Sequence, residues 1–128
     1  MKDLFLLFLL TSCAGAQYQE FSSFSGKGYK NSKIGEDTYT VFYQGDGKNT
    51  PDIIYQYFLR RSAEIAKENG KKYYCIKKDN PGNFLNGIVY WPNHNGVIQV
   101  TNKKDSERCK IADEILLLFK EEQENRMK

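Results

Sequence analysis

Thr50-Pro51-Asp52 at one end and Asn69-Gly70 at the other bracket the most constrained segment of the chain. A hydroxyl at the N-cap, proline at the first helical position and an acid in the first turn start a helix. Glycine just past the last turn suits a left-handed stop. Within the bracket, Ile54, Phe58, Ser62 and Ile65 fall on one face, flanked by Tyr57 and Ala66. A helix with a single apolar stripe is stable only against another layer, so the rest of the chain has to supply that surface.

The flanking segments read as strands. Tyr29 to Ile34 and Thr38 to Gln44 are joined by Gly35-Glu36-Asp37, and in the second Tyr39, Val41 and Tyr43 alternate with Thr38, Thr40 and Phe42. Gly45-Asp46-Gly47-Lys48-Asn49 is a turn. Beyond the helix, Tyr73 to Lys77 is a short strand and Asp79 to Asn83 a loop. Gly87 to Trp91 and Val97 to Thr101 predict a hairpin around Pro92-Asn93-His94-Asn95-Gly96. Asp105-Ser106-Glu107 is expected to cap a second helix with Ile111, Ile115, Leu118, Phe119 and Glu122 on one face. The order β-β-α-β-β-β-α predicts an α+β fold. Its simplest form is a two-layer sandwich, a mainly antiparallel sheet of about five strands with both helices on one face.

The amino terminus has a different character. Met1-Lys2-Asp3 precedes an apolar run from Leu4 to Leu10, too short to cross a bilayer and suited to an export signal. The run ends in Leu10-Thr11-Ser12-Cys13, which resembles the lipobox of bacterial lipoproteins. That resemblance implies cleavage before Cys13, a diacylglycerol thioether on its sulfur and an acylated amino group. Several acyl chains on Cys13 would hold the protein stably on a lipid bilayer. The expected division is a signal peptide over residues 1–12, lipidated Cys13 with a flexible tether to residue 27, and one α+β domain over 28–128. A tether of that length reaches ~20 Å, and its Tyr18, Phe21 and Phe24 would meet either the bilayer interface or the domain. Ala14 after the cysteine, in place of aspartate, implies the periplasmic leaflet of the outer membrane.

The net charge of +3, from 19 basic and 16 acidic residues, does not argue for nucleic-acid binding, which usually shows a concentrated basic face. With Cys13 lipidated, Cys75 and Cys109 remain, and an oxidising envelope favours a disulfide between them. The other reading is two free cysteines packed as small hydrophobes. A bridge enclosing roughly 33 residues is worth ~3–4 kcal/mol in the chain-entropy picture.

From Gly28 to Gly70 the order of motifs is more specific. Gly28-Tyr29 is followed by Tyr39-x-Val41-x-Tyr43-x-Gly45-Asp46 and then by Tyr57-x-Leu59-x-Arg61-Ser62-Ala63-Glu64-Ile65. This resembles a family of small, uncharacterised bacterial envelope lipoproteins first catalogued in Caulobacter, with Tyr43, Asp46 and Ser62 standing where the family has Phe, Asn and Ala. Ala112 to Leu116 is similar to its closing helix. The resemblance implies an envelope lipoprotein and brings no catalytic residue and no cofactor.

Other residues qualify as site candidates on chemistry alone. Arg61 falls near the apolar face, where an unpaired guanidinium is costly; Glu64, one turn on, is expected to pair with it structurally. The alternative is a cation held for an anionic partner. Gly45, Gly47, Lys48 and Thr50 precede a helix N-terminus, where N–H groups can bind anions, although the spacing is not that of a P-loop. His94 is the lone histidine, read as a surface loop residue without metal-ligand spacing. Glu36, Asp37 and Asp46 could in principle form a carboxylate pair for glycoside cleavage, although acids in turns are commonplace and nothing marks these. Tyr73, Tyr74, Tyr90 and Trp91 offer rings for a sugar or peptide, though core packing accounts for most of them. The expected function is a membrane-anchored, non-catalytic module binding an envelope protein or cell-wall polymer. An envelope hydrolase using the acids or His94 is the alternative.

Overall fold

The structure, a computed structural model, describes residues 18–126. Cys13 and the expected signal segment lie outside the described residues. The elements are β1 (Gly28–Gly35), β2 (Thr38–Gln44), α1 (Pro51–Glu68), β3 (Tyr73–Asn86), β4 (Val89–Thr101), β5 (Cys109–Ile111) and α2 (Ala112–Arg126). They form an antiparallel five-stranded sheet in the order β1-β2-β4-β3-β5. β4 lies between β2 and β3, which therefore run parallel without touching. With two helices the fold is α+β, as expected.

The helix bracket behaves as its residues dictate. Thr50 Oγ1 accepts from Ile53 N–H at 3.3 Å. At the far end Gly70, with φ +68°, donates to Lys67 O and Lys71 donates to Ala66 O, the Schellman pattern. Ile54, Tyr57, Phe58, Ser62, Ala63, Ile65 and Ala66 are buried. They face Tyr39, Val41 and Tyr43 of β2, Ile98 and Val100 of β4, and Tyr74 and Ile76 of β3. The α2 residues Ala112, Ile115, Leu116 and Phe119 join the same core, so both helices share one face of the sheet.

Three local expectations are corrected. β3 and β4 continue far past the predicted strands, and their turn is Gly87-Ile88, not Pro92 to Gly96. Gly87 has φ +67° at the first central position of a two-residue turn, where II′ hairpins take glycine. Asp79 to Asn83, expected as a loop, are strand residues paired with Asn93 to Gly96 and Pro92. The prolines misled because they sit where a missing N–H costs little: Pro81 lies beyond the end of β5, and Pro92 just past the end of β2. The second helix starts at Ala112 and not after Asp105. Residues 109–111 are drawn into a strand because Cys109 lies opposite Cys75 in the β3–β5 ladder and the two form a disulfide.

The supposed tether is also partly structured. Glu20 bridges to Tyr29 and Ser22 to Lys27, and the Tyr18 ring stacks between those of Tyr29 (5.3 Å) and Tyr43 (5.7 Å). Gly28 permits this, because a Cβ there would stand 2.5 Å from the Glu20 carbonyl. Of the three aromatics, Tyr18 docks on the domain while Phe24 is fully exposed.

Candidate functional site

His94 is not a loop residue. It points inward from β4 at 6 % exposure, its Nε2 2.6 Å from Asp79 Oδ2, and Arg108 grips the other carboxylate oxygen. The rings of Tyr55 and Phe58 close over the imidazole at 4.8 and 4.7 Å. A base so covered has no space for a substrate, and the group ties β3, β4 and the segment before β5 together. Burial alone would raise the Asp79 pKa, but the hydrogen bonds from Arg108 and His94 outweigh it and hold the carboxyl below its usual range.

A carboxyl lowered in this way contributes stability that is complete above its unfolded pKa, about 3.9, and is lost as pH falls through the folded value. Asp79→Asn is expected to destabilise by roughly 1–3 kcal/mol at neutral pH. In denaturant titrations the gap to the parent protein should close below about pH 3.9. A gap independent of pH would show that the carboxylate is not what holds this group.

Arg61 and Glu64 pair as expected, with Nη1 to Oε1 at 3.2 Å. Arg61 also donates to Asn31 Oδ1 at 2.9 Å and to Glu68 at 3.3 Å, and lies over the Tyr29 ring at 4.2 Å. Glu64 in turn accepts from Tyr18 Oη and pairs with Arg60 at 3.5 Å. The guanidinium lines an open polar cleft of about 540 Å³ beside β1, with its Nε and Nη1 donors held by Asn31, Glu64 and Glu68. The network joins α1 to β1 and to the amino-terminal segment.

The Gly45 to Thr50 turn satisfies itself. Asp46 accepts from Lys48 N–H at 2.8 Å and from Lys27 Nζ at 2.9 Å, while Asn49 Oδ1 takes Asp46 N–H at 2.8 Å. Its glycines serve close approach: a Cβ on Gly45 would meet Ile54 at 2.5 Å, and one on Gly47 would meet Val89 at 2.5 Å. Glu36 and Asp37 lie at one end of β2 and Asp46 at the other, ~20 Å apart at strand rise, too far for an acid and base flanking one glycosidic bond. Cys75, Asp105 and Cys109 are clustered tightly enough for a metal, but the disulfide takes both sulfurs and leaves one carboxylate.

What the fold does assemble is an apolar end. The β3–β4 hairpin carries Phe84, Leu85, Ile88, Val89 and Tyr90, each exposed, with Ile88 at the turn 95 % so. Trp91 stands at the base, edge-on to Phe84 at 6.2 Å. The segment around Gly26 passes beside the Trp91 ring, which brings the exposed Phe24 to the same end. Phe84, Leu85, Ile88 and Val89 are not in the sequence-derived candidates. A signal for them exists: no Asp, Glu, Lys or Arg occurs between Asp79 and Lys103, in a chain that is 27 % charged. No helix among the described residues is long and apolar enough to cross a membrane. Comparison with protein-family models, with curated proteins and with solved structures gives no match.

Proposed function

We propose that this chain is an exported lipoprotein, anchored through acylated Cys13 in the cell envelope, on the periplasmic leaflet of the outer membrane. Its domain works by binding and not by catalysis. The observation that carries this reading is the uncharged hairpin from Phe84 to Trp91, which leaves a row of large apolar side chains in water. Soluble domains rarely expose such a cluster unless it is a contact surface. The groups that would do chemistry are instead spent on architecture, His94 and Asp79 beneath α1 and Arg61 in its carboxylate network. An apolar, uncharged hairpin also fits a protein or lipid surface better than a polymer rich in hydroxyls, which calls for polar side chains.

The test is a photo-reactive residue at position 88 or, as a control, position 34 at the opposite end, in the full chain in cells. Adducts from position 88, whether to lipid or to protein, and none from position 34 are expected. If position 88 gives nothing beyond the control, the hairpin is not the contact element and the reading fails.

A further inference from the structure

We infer that the hairpin's partner is the bilayer itself: Phe84, Leu85, Ile88, Val89 and Tyr90 dip into the lipid interface, with Trp91 at its level. This rests on the anchored reading above, because it uses the position of Cys13. Five chain steps separate Cys13 from Tyr18, so at full extension the Cα of the acylated cysteine lies no more than ~18 Å from that of Tyr18. Tyr18 is stacked on Tyr43, which is paired with His94 across the β2–β4 ladder. From His94 the strand runs six residues to Ile88, ~20 Å further. Leash and hairpin therefore have the same reach, and a domain held this closely to its membrane can bring the tip to the surface without unfolding anything.

The chemistry of the tip matches that surface. Aliphatic Leu85, Ile88 and Val89 lie nearest the turn, while Tyr90 and Trp91, amphipathic rings that favour the headgroup level, follow behind. The exposed Phe24 turn lies alongside. Exposed Lys48 adjoins Gly47, which packs on Val89, and offers a cation where anionic headgroups would sit. Asn83 and Asn86 keep the penetration shallow, as do the hairpin's unpaired outer amides, which need water. The element lies in the interface and does not cross it.

Trp91 is the sole tryptophan, so the native protein carries its own reporter. The full acylated chain would be purified from bacterial membranes and its mass measured. It would then be placed in phosphatidylethanolamine and phosphatidylglycerol vesicles with or without brominated acyl chains. Trp91 emission is expected to move to shorter wavelength in plain vesicles and to lose most of its intensity in brominated ones. Ile88→Asp, a change at an exposed turn, should abolish most of that loss while leaving the circular dichroism unchanged, and Ile34→Asp should leave the quenching intact. Acylated protein whose Trp91 ignores the bromines overturns the hairpin proposal and leaves the anchor standing. Position-88 adducts to another protein, or to a second copy of this chain, overturn it as well. A product without fatty acids on Cys13 overturns the anchor, and this proposal with it.

Discussion

Phe58→Ala is expected to destabilise the domain by about 3–5 kcal/mol, the range for removing a large aromatic from a core. Phe58 has no exposure, and its ring fills the space above β4: the His94 ring lies 4.7 Å away and the Tyr55 ring 6.3 Å. Gly96 is shaped to it, since a Cβ there would stand 2.8 Å from Phe58 Cζ. The site collapses poorly after truncation because its floor is backbone. Its side wall is an imidazole held by Asp79, so the cavity remains and water would reach that hydrogen bond. Against a typical total of roughly 5–15 kcal/mol, the loss should lower the thermal midpoint by tens of degrees on the usual scaling. Thermal unfolding followed by circular dichroism gives the number. A cost below about 1 kcal/mol would mean that the ring does not occupy the core as described.

Opening the disulfide should cost nearly as much. Cys75 and Cys109 are 34 residues apart in sequence, and closing a loop of that length removes unfolded-state entropy worth ~3–4 kcal/mol. The bridge pins β5, three residues long, to β3, and α2 begins immediately after β5. Cys75→Ala with Cys109→Ala should therefore lower the urea midpoint, and reductant should do the same to the parent protein but not to the double variant. Indifference of the parent to reductant would remove the bridge from the account of stability.

Much of the architecture is legible in the residues. The N-cap, proline and C-terminal glycine define α1, and strict alternation defines β2, because both signals are local and no neighbour competes with them. The pairing of Arg61 with Glu64 follows from helical spacing alone. The hairpin is where local reading fails. Pro81, Gly82, Pro92 and Gly96 are turn formers by propensity, yet each is tolerated in a strand for a reason supplied by tertiary structure: a free edge for the prolines, the Asn93 side chain over Gly82, and the Phe58 ring over Gly96. The same error hid His94, whose partner Asp79 lies diagonally across the β3–β4 ladder and is brought there only when both strands continue through this region. The start of α2 was obscured in the same way, since Cys109 is claimed by a partner far away in sequence.

The position of β4 also bears on how the chain acquires its fold. Of the long strands it comes last, yet it fills the gap between β2 and β3. Before Thr101 is available, β1 and β2 can form no more than an isolated hairpin, which is marginal in water, and α1 has no complete layer beneath it. Structure formation is thereby postponed until most of the polypeptide is present: β3 and β4 close locally around Gly87-Ile88, but β2 has to find β4 across the whole of α1 and β3, the slow kind of contact. A chain cut short before residue 89 should behave as an unstructured polymer, open to proteases along its whole length.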